Sequence, residues 1–178
     1  MTDSPEQIYK TRKFESWVGP HNIYVEGAEP ENPAEARTPI LFVGGAFDGS
    51  WIFRREMEYF ASRGWRTYAI NPRGYYKSRW NDIANLTVED YLSDIRSARE
   101  HLKLDPVIMA GFSMGGLLAL KHAEDHGAEA LILYDSDASR EIWQALRRRP
   151  HTRPVPPVVR FWPSPDVVRE MWGARVRK

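Results

Sequence analysis

The chain has 178 residues, of which 42% are hydrophobic and 28% are charged, a composition typical of a globular domain with a sizeable core. It contains no cysteine, so disulfides, thiolate zinc sites and a cysteine nucleophile are excluded. The first ten residues are polar, unlike a signal peptide, and no apolar stretch approaches the roughly 18 residues of a membrane span. We therefore predict a cytoplasmic protein.

The net charge of +1 hides an uneven distribution of charge along the chain. Residues 140–178 carry ten basic and three acidic side chains, whereas the preceding residues carry 15 basic and 21 acidic ones. Such a tail raises nucleic acid or an anionic membrane as a partner. The basic residues are scattered among prolines and tryptophans, and Arg147–Arg149 is their one run. We therefore favour a solvated surface or a lid, and predict no nucleic-acid partner.

The N-terminal region predicts a hairpin. An alternating segment, Lys13–Val18, and an apolar one, Ile23–Val25, flank a turn at residues 19–22. A polar loop with prolines is expected at residues 29–39.

From Ile40 to Tyr134 the pattern changes to buried strands that alternate with helices. Strands are predicted at residues 40–43, 66–70, 107–110 and 130–134, because short continuous apolar runs suit strands buried on both faces. Helices are predicted at residues 51–63, 87–102 and 114–126. Ser50 is the expected cap of the first helix, and Thr87 with Asp90 forms a capping box for the second. The fold class is α/β, a doubly wound and mostly parallel sheet.

After Tyr134 the alternation stops. Helices are possible at residues 140–148 and from 166 to 172, and six prolines lie between residues 150 and 165. We divide the chain into a core at residues 1–138 and a proline-rich, basic lid or cap segment at residues 139–178. No further buried strand is predicted.

Gly111-Phe112-Ser113-Met114-Gly115 follows a predicted strand and begins a predicted helix. This is the context that a G-x-S-x-G nucleophile elbow requires. The turn is so sharp that the serine takes a strained backbone conformation and the flanking positions have no room for side chains. The Met114 N–H would face developing negative charge at the helix N-terminus. The alternative is a glycine-rich turn with an incidental serine.

Three segments in order resemble the α/β-hydrolase superfamily, in particular its serine esterases and lipases. They are LFVGGAFDGSWIF, INPRGYYKS and AGFSMGG, and the resemblance covers about Phe14 to Tyr134. It implies that Ser113 is the nucleophile and that Ala46, or more weakly Phe47, gives a second oxyanion N–H beside that of Met114. Departures from the family's pattern at Gly44, Asn71 and Tyr76 leave the subfamily open.

The resemblance also implies an acid and a histidine later in the chain. Asp137 or Asp135 follows the last predicted strand, where some members place the acid; the alternative is that both cap a helix near Arg140. Four histidines were expected at the surface: His21, His101, and two on the helix of Ser113, His122 and His126, at roughly 13 Å or more along its axis. His151 lies in the proline-rich segment, where the family carries its lid, and it is the one histidine that could swing over the serine.

The sequence thus predicts a serine hydrolase core that lacks its last strands and acts on an ester-like small molecule, incomplete or weakly active in this chain. Neither a cofactor nor a metal is implied. Whether it is an enzyme stays open, because the alternative is an inactive remnant or binding module of the same fold. Absence of a further strand also predicts an exposed edge at Ala130–Tyr134, which would pair with another copy or a complementing chain.

Overall fold

The computed structural model describes residues 7–32, 37–80 and 82–136, and the backbone of residues 158–160. These ranges contain a seven-stranded sheet with the strand order β1-β2-β4-β3-β5-β6-β7. Its strands are β1 (Thr11–Val18), β2 (Ile23–Pro30), β3 (Ile40–Val43), β4 (Thr67–Asn71), β5 (Ile108–Phe112), β6 (Ala130–Tyr134) and β7 (Val158–Arg160). β1 and β2 run antiparallel to their neighbours, and β4, β3, β5, β6 and β7 are parallel.

Three α-helices cover the two faces of this sheet: α1 (Arg54–Ala61), α2 (Val88–His101) and α3 (Met114–His126). Side chains alternate along the strands, so that Leu41 and Val43 pack with α2 and α3 in one apolar cluster. Ile40 and Phe42 point the other way and pack with α1. All four are at most 1% exposed, which explains why the strand reads as a continuous apolar run. The predicted doubly wound, mostly parallel α/β fold is confirmed.

Most predicted elements are confirmed, but the start of the first helix is different. Residues Ser50–Phe53 form a 3-10 turn, and α1 begins only at Arg54. Ser50 caps no helix. Its N–H donates to Asn71 Oδ1 at 2.8 Å, and its hydroxyl accepts from Asn71 Nδ2 at 2.9 Å. The buried hydroxyl therefore joins this turn to the end of β4 instead of satisfying a helix terminus. The capping box at Thr87 and Asp90 is present as predicted.

The prediction of an exposed edge at Ala130–Tyr134 is wrong. β7 pairs with β6 in parallel, with Leu131 opposite Val158 and Leu133 opposite Arg160. A short strand from the proline-rich segment therefore takes up backbone groups that would otherwise invite another chain. This strand could not be predicted from the sequence, because Val158–Arg160 is only three residues long and follows Pro156 and Pro157. The predicted helices at residues 140–148 and 166–172 lie outside the described residues.

The loop after β4 is fixed by buried polar contacts. Arg73 is 3% exposed, and its guanidinium donates to both carboxylate oxygens of Asp94, the closest at 2.6 Å. The Arg73 N–H donates to the same carboxylate at 2.8 Å. A buried charge pair holds its geometry only when such further hydrogen bonds satisfy it. This loop is therefore anchored to α2, and its end stays in place at the carboxyl edge of the sheet.

Among the described residues, no helix combines the length and apolar character that a bilayer crossing requires.

Candidate active site

Ser113 occupies the turn between β5 and α3, at the carboxyl edge of the sheet. Its φ is 51° and its ψ is −122°, so the backbone has the strained conformation that the sequence predicts for this position. The residue is exposed, and its N–H donates to the Tyr134 carbonyl of β6 at 3.0 Å. Met114 is the first residue of α3, so its N–H has no partner within the helix. The Ser113 hydroxyl and the first amide of α3 thus lie together at one exposed turn.

The glycines around this turn are required by close packing of backbone against backbone. A Cβ atom at Gly111 would lie 2.5 Å from the Gly115 carbonyl oxygen. At Gly115 it would overlap the carbonyl oxygens of Val43 and Gly44. The first turn of α3 therefore rests directly on the end of β3 at Gly115 and on β5 at Gly111, and a side chain at either position would push α3 away from that strand.

That contact also places the loop after β3 beside the serine. A Cβ at Gly45 would lie 3.2 Å from Ser113 Cβ, so the two residues are neighbours across the site. The Asp48 N–H donates to the Gly45 carbonyl at 3.4 Å and closes a four-residue turn around Ala46 and Phe47. Phe47 has a φ of 66° at the third position, where type II turns need a positive value. Both central residues are exposed, so the predicted oxyanion donors lie in the loop that borders Ser113.

Gly44 is the position at which the sequence departs from the resembled pattern. A Cβ there would make only ordinary contacts, the nearest at 3.4 Å to Asp48 Cβ. Packing therefore does not require glycine at this position, in contrast to Gly111 and Gly115.

Ser136 is a residue of this site that sequence reasoning missed. Its hydroxyl lies 2.9 Å from the Ser113 carbonyl oxygen and 3.2 Å from that of Tyr134, and it donates to one of them at a time. A Cβ at Gly116 would overlap the Ser136 side chain. Ser136 thus holds the backbone of the serine turn. The only signal in the sequence is its place two residues after a predicted strand.

The two acid candidates have different outcomes. Asp135 directly follows β6, is exposed and has a φ of 45°. Because the carboxyl ends of β5 and β6 are neighbours in the sheet, Asp135 lies at the same edge as Ser113. Asp137 lies outside the described residues, so its role remains a prediction.

The histidines differ in burial, and the expectation that His122 lies at the surface is wrong. His122 is 1% exposed on the inner face of α3, and neither ring nitrogen has a hydrogen-bond partner among the described residues. Its ring centroid lies 4.7 Å from that of His126. Burial, together with the positive charges of nearby groups, lowers the pKa of His122 to about 3. A neutral, buried imidazole in the core cannot serve as the base of an exposed serine.

His21, His101 and Tyr134 also fail as a base. His21 contacts the Trp80 ring at 5.3 Å in the turn between β1 and β2, and His101 is exposed at the end of α2. Burial, and then Glu56, raises the pKa of Tyr134, which stays protonated at neutral pH. Within residues 7–136 as described, no hydrogen bond joins a histidine to the Ser113 hydroxyl. His151, the lid candidate, lies outside the described residues.

Gly116→Ala tests the packing beneath the serine turn. We expect it to lower the free energy of unfolding by about 2 kcal/mol, because overpacking against Ser136 outweighs the better helix propensity of alanine. Adding Ser136→Gly removes the overlapping atoms and should recover about 1 kcal/mol beyond the sum of the single changes. Urea denaturation measures both. Ser62→Gly, far from the turn, is the matched control, and its effect on the free energy of unfolding should add to that of Gly116→Ala. If the effect of Ser136→Gly is also simply additive with that of Gly116→Ala, this packing is contradicted.

His122 predicts a pH dependence of stability. Its pKa is lower in the folded state than in the unfolded state, so the unfolded chain binds the extra proton as pH falls below about 6.5, and stability is lost from there down to the folded value. Within that window the loss is about 1.4 kcal/mol per pH unit. His122→Leu should flatten the decline in unfolding free energy between about pH 6 and pH 4. His101→Gln, at an exposed histidine, should leave the slope unchanged; equal slopes in all three proteins would refute the assignment.

Comparison with known proteins agrees with this geometry. A family model described as alpha/beta hydrolase fold matches residues 38–147. The chain is 33% identical over 105 residues to the AB hydrolase superfamily protein YisY of Bacillus subtilis (strain 168), covering 56% of this chain and 38% of YisY. It is 31% identical over 107 residues to a probable proline iminopeptidase of Leptolyngbya boryana, covering 60% and 32%.

Among solved structures, an esterase from Exiguobacterium antarcticum (EaEST) matches with a TM-score of 0.55 and 28% identity, covering 67% of this chain and 43% of the esterase. The chain thus spans well under half the length of these similar proteins. The family match takes in β3 to β6, the loop beside the serine and the serine turn itself. This chain belongs to the alpha/beta hydrolase fold family.

Proposed function

We propose that this chain carries the nucleophile and the oxyanion-binding groups of a serine hydrolase that acts on an ester-like carbonyl. The observation that carries the proposal is the placement of Ser113: an exposed serine with a φ of 51° at the first turn of α3, with Gly45 as its neighbour. The strained turn holds the hydroxyl above the sheet edge. The similarity to an esterase supports an ester-like substrate.

The proposed chemistry is acyl transfer to water. Ser113 Oγ bonds to the carbonyl carbon and gives its proton to a base, and the alcohol leaves with a proton. The carbonyl oxygen becomes negative during this step. The N–H of Met114, at the positive end of α3, and that of Ala46 or Phe47 would stabilise it, which is the largest single contribution in such sites. Water then releases the acid and restores the serine.

The acid and the base of the proposed reaction are expected from residues that follow β6. Asp135 lies at the correct edge of the sheet, and Asp137 is the second candidate for the acid. No histidine among the described residues contacts the serine, and His151 is the one candidate in the lid segment. An unassisted serine hydroxyl is a weak nucleophile, so hydrolysis by this chain alone should be slow.

The lack of a histidine beside Ser113 among the described residues favours a second function. An alpha/beta hydrolase fold without a base beside its serine would bind ester-like molecules in the same site without turning them over. The residual activity of such a site comes from oxyanion stabilisation and binding alone. The rate at which Ser113 reacts with an ester-like molecule therefore distinguishes a hydrolase from a binding module.

Reaction with a fluorophosphonate probe should modify Ser113 in preference to every other side chain. Phosphonates form the same tetrahedral oxyanion geometry as the acyl reaction, so the Met114 and Ala46 amides would assist the attack. Ser113→Ala should abolish labelling, measured by intact mass and peptide mapping. Ser62→Ala, which removes an unrelated hydroxyl on α1's end, should label like the unchanged protein. Equal labelling of the Ser113→Ala variant would refute the assignment.

Turnover of p-nitrophenyl acetate should be below about 1 per second for the chain alone, because competent enzymes reach on the order of 1–1000 per second and need a base. Continuous absorbance at saturating ester measures this rate. A rate within the competent range, lost in His151→Ala and retained in His101→Gln, would show that the lid segment contributes the base. That outcome would contradict both the slow hydrolase and the binding module.

A further inference from the structure

A cavity of about 450 Å³ lies at the carboxyl edge of the sheet, as Ser113 does, but beside β2 rather than β5. It is lined by Trp17, Asn22, Tyr76, Lys77 and Arg79. Tyr24 of β2 is opposite Asn71 of β4, so the turn before β2 meets the carboxyl end of β4. Three strand spacings separate β2 from β5, or about 14 Å. The cavity is therefore distinct from the serine turn, although both open at one edge.

The two aromatic walls of this cavity, Trp17 and Tyr76, both pack against a buried third ring. Tyr24 is fully buried, with its ring centroid 5.0 Å from that of Trp17 and 5.9 Å from that of Tyr76. Trp17 and Tyr76 are 47% and 49% exposed, so each presents an open face beside this fixed ring. Rings fixed in advance lose little conformational entropy when a flat molecule binds against them. The walls are suited to a planar group.

The polar lining of the cavity is mainly cationic. Lys77 Nζ lies 3.0 Å from the Tyr24 hydroxyl and 4.2 Å from the centroid of the Tyr24 ring, which keeps the ammonium at the cavity. Its carboxylate partner is Glu15 at 3.6 Å, a pair in which both side chains are about half exposed. Arg79 is exposed and has no ion pair within the described part of the chain. A second carboxylate, that of Glu26, accepts from the Tyr24 hydroxyl at 3.2 Å and is paired with Arg54 at 2.9 Å. The three cations Lys77, Arg79 and Arg54 therefore outnumber the two carboxylates, and the cavity has a net positive charge.

Asn22 adds hydrogen-bonding capacity at the same wall. Its backbone is left-handed, with a φ of 52°, and its N–H donates to Gly19 O within the turn. The side-chain amide is left for a ligand, since no hydrogen bond to it is described. Amide and guanidinium donors together suit an oxyanion with several acceptor oxygens.

From this combination of aromatic walls and unbalanced cations, we propose that the cavity binds a small anion carried on an aromatic ring, such as an aryl phosphate or aryl carboxylate. The ring packs between Trp17 and Tyr76, and the anion contacts Arg79 and Lys77. The volume lies within the range of small-molecule sites in proteins. The proposal goes beyond the hydrolase function and does not depend on Ser113.

Isothermal titration of the whole chain with phenyl phosphate and with benzoate tests the proposal. Both should bind at least about tenfold more tightly than benzyl alcohol, which has the ring without the charge, and than inorganic phosphate, which has the charge without the ring. Equal affinity for benzyl alcohol would leave only apolar contact. Equal affinity for inorganic phosphate would leave only a diffuse electrostatic attraction. Either result overturns the proposal.

Variants separate this cavity from other charges and from the serine. Arg79→Gln should weaken phenyl phosphate binding by about tenfold, and Glu15→Gln should strengthen it by a few-fold because the competing carboxylate is gone. Lys10→Gln, an exposed cation before β1 at the opposite end of that strand, is the matched control and should bind normally. Ser113→Ala should also bind normally, so failure of the serine assignment would not affect this result. Circular dichroism confirms that each variant is folded. Loss of binding in Lys10→Gln equal to that in Arg79→Gln, or no effect of Arg79→Gln, would contradict the site.

Discussion

The first turn of α3 lies so close to β3 that no side chain fits at Gly115, and so close to β5 that none fits at Gly111. This contact brings together two segments that are about seventy residues apart in the chain. It fixes the height of the serine above the sheet, and it fixes the loop of Gly45 against the serine. Because the contact is between backbone atoms, ordinary side-chain repacking cannot relax it. The strained φ of Ser113 persists because the strands on both sides determine it.

Hydrogen bonds beyond the turn reinforce the same arrangement. On the β6 side, the Tyr134 carbonyl accepts from the Ser113 N–H, and Ser136 lies beneath the turn. On the β4 side, Asn71 ties the end of that strand to Ser50, which follows the loop of Gly45. Each of these contacts is at the carboxyl edge of the parallel strands, where α/β sheets place their ligand sites. Hydrogen bonds therefore hold this edge at both β4 and β6, with Ser113 at one part of the edge and the cationic aromatic cavity at another.

Much of the fold could be predicted because the strands β3 to β6 and the helices α2 and α3 each have a local signal in the sequence. Buried strands read as apolar runs, and the boundaries of β6 and α3 were predicted to the residue. The serine turn could be predicted because its glycines are a steric requirement that the sequence displays directly. The family's motif order then added the expectation that the Gly45 loop lies beside it.

Other features could not be predicted because they depend on contacts between distant segments. Ser50 looks like a helix cap, but a buried asparagine 21 residues away competes for its hydroxyl. His122 lies on a helix face whose burial depends on α2 and the sheet, so its position in the sequence does not reveal it. β7 is short and lies among prolines, and only its pairing with β6 identifies it as a strand. Ser136 has no motif of its own, and its role follows from the space left by Gly116.

We propose that the strained turn presents Ser113 to a carbonyl group. The amides of Met114 and of Ala46 or Phe47 would then bind the carbonyl oxygen. A crystal structure of the chain after reaction with a fluorophosphonate tests it most directly. We expect phosphorus bonded to Ser113 Oγ, a positive φ at Ser113, and the phosphoryl oxygen about 3 Å from the Met114 nitrogen and from one nitrogen of the Gly45 loop. Phosphorus on another side chain, or a phosphoryl oxygen that faces solvent with neither amide in reach, would contradict the account.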